Sequence, residues 1–197
     1  MSATDTQTSD RFVVYWWHIV LVLALVALFS LFYKGLWGDP SALPTVLINT
    51  PAPTFDGPDV ASGQPVSIAQ FQGKVVMINF WASWCLECRL EHANLLALHE
   101  QFSRHPDFVM LGVNYQDRLD DARRYLEVYT APFLNVRDWK GAISIDYGVY
   151  GVPETFVIDR QGVIRHKQIG PIIGPAYDQL KNRILPALLD GAAPAVS

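Results

Sequence analysis

The sequence predicts an α/β fold, with a central mixed β-sheet flanked by helices and one N-terminal transmembrane helix. Residues 12–33 carry no Asp, Glu, Lys or Arg, which is typical of a membrane span. From residue 75 onward, apolar runs alternate with amphipathic stretches, and this alternation indicates a parallel βαβ unit with a right-handed crossover. Two further strand patterns flank the turn DRQG at residues 159–162, which predicts an antiparallel hairpin.

Composition narrows the class of protein. The chain has 197 residues, a formal net charge of −4 and no basic patch, so nucleic acid is not an expected partner. Both of its cysteines belong to a single motif, which excludes a framework of structural disulfides. The length suits one domain with an appendage.

The N-terminal region predicts a disordered segment at residues 1–11 and a transmembrane anchor at residues 12–34. As a helix, residues 12–33 would span ~33 Å, close to the ~30 Å thickness of a bilayer core. Aromatic residues suited to the membrane interface stand near both ends: Tyr15, Trp16, Trp17, Tyr33 and Trp37. A cleaved signal peptide would have an apolar core of only about 7–15 residues, so an uncleaved anchor is favoured. Arg11 and Lys34 place one positive charge on each side, so charge does not decide the orientation.

The remaining segments follow from proline content and hydrophobic periodicity. Proline-rich residues 35–58 predict a stiff linker, residues 59–190 a folded domain and residues 191–197 a frayed tail. Within the domain, the pattern predicts a short strand and turn at 65–74, buried strands at 75–80 and 107–115, an amphipathic helix at 117–129, a short strand at 133–136, the hairpin at 154–170 and a closing helix at 177–189.

The motif FWASWCLECRLEHANL contains the two cysteines, Cys85 and Cys88, between a predicted strand and a predicted helix. This spacing places both sulfurs on one face of the first helical turn. The unpaired N–H groups and the positive end of the dipole there favour a thiolate at Cys85. Such a pair can cycle between a dithiol and a Cys85–Cys88 disulfide.

The same helix carries an acid on its apolar face. Counted from Cys88 at about 100° per residue, Glu91 lies on one stripe with Leu95, Leu98 and Phe102. A carboxyl group in that position should be desolvated and have a raised pKa, a condition suited to proton exchange near neutral pH. The alternative is an ordinary surface glutamate.

Three sequence blocks together resemble a known family. FWASWCLECRLEHANL, GVNYQD at residues 112–117 and YGVYGVPETFVIDRQGVIRHKQIG at residues 147–170 are similar to the membrane-anchored, thioredoxin-like proteins of cytochrome c biogenesis, the CcmG/DsbE type. The resemblance implies a thioredoxin-like fold and thiol:disulfide oxidoreductase activity in the reductase direction. One position departs from the family: the dipeptide between the cysteines commonly contains proline, whereas this chain has Leu86 and Glu87.

The resemblance also implies a substrate groove around the cysteines. Pro153 would be a cis-proline facing them, exposing the Val152 backbone for pairing with an extended substrate peptide. Glu154 would place a second carboxylate near the cysteines, with a surface acid at a strand edge as the alternative. Trp84 would offer an apolar platform at the rim, while Trp81 packs into the sheet. Tyr115, with its neighbours Asn114 and Asp117, would belong to the groove at the carboxyl edge of the sheet.

The implied partners are apocytochrome c, as the disulfide substrate, and a membrane thiol electron donor of the DsbD/CcdA type. The implied location is the bacterial inner membrane, with a single span and the catalytic domain in the periplasm. Two alternatives remain open. One is a general extracytoplasmic reductase of the same fold, and the other is a copper or haem chaperone that binds its cargo through the cysteines. No cofactor is expected.

A metal site is also not expected. The candidate ligands besides the cysteines are His92, His99, His105 and His166. His92 and His99 fall away from the cysteine stripe, and the chain has no second pair of cysteines to complete a four-ligand site.

Overall fold

The computed structural model describes residues 7–36 and 47–191 of the chain, which divides into two units, Met1–Pro44 and Thr45–Ser197. Parts of the predicted disordered N-terminus, linker and tail lie outside the described residues, at 1–6, 37–46 and 192–197.

The first unit contains a single described helix, α1 (Gln7–Leu36). Its segment Trp16–Tyr33 has a mean hydropathy of 2.1, and its length and composition suit a membrane span. α1 includes residues 7–11, which the sequence pattern assigned to the N-terminal disordered segment. Once a helix has formed, each added residue contributes one further hydrogen bond, so α1 extends beyond the uncharged segment.

The second unit contains a five-stranded sheet with helices on its faces. Its strands and helices are β1 (Asp56–Pro58), β2 (Pro65–Ser67), β3 (Val75–Trp81), α2 (Leu86–Phe102), β4 (Phe108–Tyr115), α3 (Leu119–Val128), β5 (Leu134–Asp138), α4 (Ala142–Asp146), β6 (Glu154–Ile158), β7 (Ile164–Ile169), α5 (Pro175–Gln179) and α6 (Leu185–Leu189).

The sheet has the order β5-β4-β3-β6-β7. β3, β4 and β5 are parallel, while β6 runs antiparallel to β3 and β7 antiparallel to β6. The predicted βαβ unit, the C-terminal hairpin and the mixed sheet are therefore confirmed. β1 and β2 form a separate antiparallel hairpin.

The sheet divides the hydrophobic core into two layers. Alternate residues of β3 point to opposite faces: Val75 and Met77 pack with α2 and the C-terminal helices, whereas Ile78 and Phe80 pack with Tyr147 and the β1–β2 region. All seven residues of β3 are buried, as expected for a central strand covered on both faces.

Part of the predicted linker belongs to the folded unit instead. Phe55 is buried, Leu47 and Ile48 pack against the same core layer, and residues 56–58 form β1. The predicted domain boundary at residue 58 is therefore too late. The sequence pattern did not predict that this segment packs in the folded unit, because single apolar residues spaced between prolines have neither strand nor helix periodicity.

The predicted closing helix is present but irregular. A π-helical segment, Leu180–Ile184, joins α5 to α6. Pro186 follows at the start of α6, and since proline has no amide hydrogen, a regular α-helix there would lose a backbone hydrogen bond. The short α4 was not predicted, because five residues are too few to establish a helical period.

Candidate active site

Cys85 and Cys88 form a disulfide between the end of β3 and the first turn of α2, with sulfurs 2.03 Å apart. Cys85 is the N-cap of α2, and its Sγ accepts a hydrogen bond from the Cys88 amide at 3.0 Å. The same amide would stabilise a thiolate at Cys85 after reduction, because a hydrogen bond to the charged form favours that form.

The turn before Cys85 is fixed by Asp117, which follows β4. The Asp117 carboxylate accepts hydrogen bonds from the Ser83 amide at 2.6 Å and from the Ser83 hydroxyl at 2.9 Å. Asn114 donates to the same carboxylate at 3.0 Å. The carboxyl end of β4 therefore holds the loop that presents Cys85, as its place at this edge of the sheet predicts.

Glu91 lies on the buried face of α2, one turn beyond Cys88, and is completely inaccessible to solvent. Its Oε1 accepts a hydrogen bond from Asn79 Nδ2 at 2.8 Å, and its Oε2 accepts one from the Ile172 amide at 2.6 Å. Burial raises the pKa of Glu91 from 4.5 to about 7, against the lowering effect of these two hydrogen bonds. The predicted buried stripe is confirmed, and burial acts on the pKa in the predicted direction.

The loop before β6 faces the disulfide. The Val152–Pro153 bond is cis, as the resemblance implies, and the Val152 carbonyl oxygen lies 3.5 Å from Cys85 Sγ. Pro153 is buried, whereas Tyr150 is 76% exposed. The structure thus brings a backbone carbonyl of this loop next to the outer sulfur.

Glu154 is not brought beside the cysteines, and it is not an exposed acid at a strand edge. β6 pairs Thr155 with Asn79, the donor to Glu91, so the neighbouring Glu154 side chain points to the opposite face of the sheet. There its Oε2 lies 2.8 Å from Lys167 Nζ, and both side chains are 2% exposed. Because side chains alternate along a strand, Glu154 points away from the cysteines although it directly follows Pro153 in the sequence.

The aromatic candidates have different positions. Trp84 is 58% exposed beside Cys85, while Trp81 is buried and donates from Nε1 to Asn135 Oδ1 at 2.9 Å. Gly112 on β4 lies between Trp81 on β3 and Asn135 on β5. A β-carbon at Gly112 would stand only 2.0 Å from Asn135 Oδ1. The Tyr115 ring lies beside Gly141, on the face of β4 opposite Asn114.

Sequence reasoning missed two sets of polar residues. Asn79 donates to the Glu91 carboxylate, and the Thr155 hydroxyl accepts a second hydrogen bond from Asn79. Asn79 is detectable as the single polar residue in the apolar run VVMINF. Lys167, the partner of Glu154, could have been found from the hairpin register, which pairs it with Phe156 on the core face. Among the described residues, no cluster of three His, Cys, Asp or Glu side chains could hold a metal ion.

A mixed sheet with a redox-active cysteine pair at the start of its first long helix, opposite a cis-proline loop, defines a thioredoxin-like thiol:disulfide oxidoreductase. Comparisons with known proteins agree with this class. The sequence profile of the AhpC/TSA family matches residues 48–167.

Individual relatives narrow the class further. The thiol:disulfide interchange protein DsbE of Pseudomonas aeruginosa is 39% identical over 169 residues, covering 81% of this chain and 90% of that protein. DsbE of Allochromatium vinosum is 41% identical over 75% of this chain and 80% of its own. A crystal structure from Chlorobium tepidum, described as a DsbE thiol:disulfide interchange protein, matches with a TM-score of 0.63 and 32% identity, covering 70% of this chain and 95% of that chain. The chain belongs to the DsbE family of thiol:disulfide interchange proteins.

Proposed function

We propose that this protein is a membrane-anchored periplasmic reductase that reduces the haem-attachment cysteines of apocytochrome c during cytochrome c maturation. The observation that carries the proposal is the cysteine pair at the N-terminus of α2, one helical turn from a buried carboxyl group with a pKa of about 7. Membership of the DsbE family supports thiol:disulfide exchange. The three sequence blocks that resemble cytochrome c biogenesis proteins support the substrate.

In the proposed reaction, the reduced Cys85 thiolate attacks one sulfur of the substrate disulfide. A mixed disulfide forms, and the departing substrate thiolate takes up a proton. Cys88 then attacks Cys85 Sγ, which releases the second substrate thiolate and leaves the Cys85–Cys88 disulfide. Two electrons pass to the substrate. A membrane thiol donor of the DsbD/CcdA type returns the pair to its reduced form.

Glu91 is the proposed base for the second step. Cys88 must lose its proton before it can attack, and an ionised Glu91 carboxylate near neutral pH can accept that proton. The Val152 backbone, next to Cys85, is the proposed pairing site for the substrate peptide, with Trp84 as an apolar contact at the rim.

The negative charges near the cysteines support the reductase direction. Glu87 lies in the first turn of α2, and its negative charge opposes part of the preference of the helix N-terminus for a thiolate. A nearby buried carboxylate at Glu91 acts in the same direction. A less stable thiolate makes the dithiol form a stronger reductant.

Trapping tests the substrate. A Cys88→Ser variant lacks the resolving thiol, so it should hold its substrate as a mixed disulfide through Cys85 that dithiothreitol releases. We expect apocytochrome c to be the main trapped protein, and a Cys85→Ser variant to trap nothing. Capture of many unrelated proteins would replace this substrate with a general one. Stoichiometric copper or haem binding without any mixed disulfide would favour the chaperone alternative.

Anchorage and orientation need a separate test, since the charges flanking α1 do not decide them. The full chain should sediment with inner membranes and resist extraction at high salt or alkaline pH. In cells with an opened outer membrane and an intact inner membrane, a membrane-impermeant maleimide should label reduced Cys85. Labelling only after lysis would place the domain in the cytoplasm and contradict the proposal.

A further inference from the structure

A buried ion pair lies on the face of the sheet opposite Glu91. Lys167 on β7 and Glu154 on β6 are diagonal neighbours in the hairpin, because Phe156 pairs with Lys167 and Glu154 with Ile169. Their Nζ and Oε2 atoms are 2.8 Å apart. The Lys167 ammonium also lies over the rings of Tyr150, at 4.9 Å, and Phe156, at 5.1 Å. Burial of two charges is costly unless their remaining hydrogen-bonding capacity is used, so the other contacts of this pair matter.

Those contacts run to the loop that faces the cysteines. Lys167 Nζ donates a hydrogen bond to the Gly148 carbonyl at 2.9 Å, and Glu154 Oε1 accepts one from the Tyr150 amide at 2.9 Å. The pair therefore holds two backbone groups in the segment that leads to Val152. Beyond that segment, the Pro153 carbonyl accepts a hydrogen bond from the Gly170 amide at 3.0 Å. The loop is held on both sides of Val152.

We propose that Lys167 and Glu154 are positioning residues that set the place of the Val152 backbone beside Cys85. They act on the docking of an extended peptide disulfide and take no part in proton transfer. The Glu154 carboxylate is unsuited to proton transfer at the cysteines, since it lies across the sheet and is engaged by an ammonium and an amide. The inference rests on the proposed pairing of substrate with Val152 and is independent of the substrate's identity.

The test uses the full-length protein in detergent micelles and a synthetic peptide that contains one disulfide. In Lys167→Met and Glu154→Gln variants, we expect the KM for the peptide to rise about 10- to 100-fold, because a small displacement of a positioning group weakens productive binding. The kcat should change less than about twofold, since the reacting sulfurs are untouched. Lys167→Arg, which keeps the positive charge, should return the KM most of the way to the wild-type value. Lys181→Met, a half-buried lysine over the Tyr177 ring, is the matched control and should leave the KM unchanged.

Two readouts separate positioning from acid–base chemistry and from general damage. The pH profile of Cys85 alkylation by iodoacetamide should be the same in wild type and in both variants. Amide hydrogen exchange in residues 148–153 should become faster in the variants but not in Lys181→Met. Because both readouts are independent of the reaction direction and of cytochrome c, they remain informative if the proposed substrate is incorrect.

Three outcomes would overturn the inference. The first is an unchanged KM and unchanged exchange in folded variants. The second is a shifted alkylation profile in Glu154→Gln with a normal KM, which would make Glu154 a proton-transfer residue. If a single variant fails to fold, the Lys167→Met/Glu154→Gln double variant, which leaves neither charge unpaired, takes its place. A wild-type KM in this double variant is the third contradicting outcome.

Discussion

Two glutamates lie buried on opposite faces of one sheet, and one of them has a cation beside its carboxylate. Glu91, on the α2 side, is held by the neutral donors Asn79 Nδ2 and the Ile172 amide. Glu154, on the other side, faces the Lys167 ammonium at 2.8 Å. Both are almost completely inaccessible, at 0% and 1% exposure. Burial alone therefore does not determine what a carboxyl group does.

The two carboxyl groups differ in whether a positive charge lies beside them. Without a cation, desolvation of Glu91 dominates over its two hydrogen bonds, and its pKa rises to about 7. Such a group exchanges protons near neutral pH. Glu154 instead forms a tether between strands and loop, with its charge compensated in place. In the proposed mechanism, one face of the sheet supports proton transfer, and the other supports the geometry of the loop proposed to receive the substrate.

The largest expected effect comes from removing the cation that distinguishes the two sites. Lys167→Met leaves the Glu154 carboxylate buried without its cation, with only the Tyr150 amide as a donor, which should lower the free energy of unfolding by about 3–5 kcal/mol. Urea unfolding of the full-length protein in detergent micelles measures this loss. A second substitution, Glu154→Gln, should recover part of it, since the unpaired charge is then gone. If Lys167→Met destabilised the protein no more than the control Lys181→Met, the ion pair would not hold this face together.

The second prediction concerns the pH dependence of stability at Glu91. Its pKa is raised in the folded state, so its contribution to stability is fully present below about pH 4.5 and is lost as the pH rises through about 7. Between pH 5 and pH 8, the difference in unfolding free energy between wild type and Glu91→Gln should change by about 2.5 kcal/mol, with the wild type losing stability. Urea titrations of the oxidised protein at both pH values measure this, with the exposed Glu100→Gln as control. Parallel curves for wild type and Glu91→Gln would contradict a raised pKa.

The third prediction separates the two glutamates by reaction step. At pH 7, Glu91→Gln should slow the attack of Cys88 on a preformed Cys85 mixed disulfide by about 100-fold, because the base for the Cys88 proton is lost. Stopped-flow detection of the released thiol measures the step. Glu154→Gln should leave the same step unchanged, since the substrate is already attached. Equal slowing in both variants would mean that the two acids share one role.

The sequence was sufficient for features that depend on local patterns. The continuous apolar run predicts β3, the helical stripe from Cys88 predicts the burial of Glu91, and the DRQG turn predicts the β6–β7 hairpin. Each rests on a signal within one segment, namely a continuous apolar run, a helical period of about 3.6 residues or a set of turn residues, and the structure confirms each.

Features that depend on pairing between segments were harder to predict from the sequence. Glu154 follows Pro153 in sequence, so proximity along the chain suggested a second acid near the cysteines. Its true surroundings depend on the register of β6 with β3 and β7, which turns its side chain away from Glu91 and toward Lys167. Phe55 was missed for a similar reason, since its burial depends on packing against distant segments of the chain rather than on any local period.

The smallest expected effect tests whether the neutral donors at Glu91 tune its pKa. Asn79 donates to Glu91 Oε1, a hydrogen bond that stabilises the carboxylate and opposes the effect of burial. Asn79→Leu removes this donor at similar volume and should raise the pKa of Glu91 by about one further unit, the lower end of what a hydrogen bond to a charged group contributes. Carbon-13 NMR titration of the Glu91 carboxyl measures the midpoint directly. Thr155→Val is the matched control, because it removes only the second acceptor of Asn79 and leaves the bond to Glu91 in place. An unshifted or lowered midpoint in Asn79→Leu would mean that desolvation alone sets the acidity of Glu91, and that the polar residue in β3 serves packing between the strands.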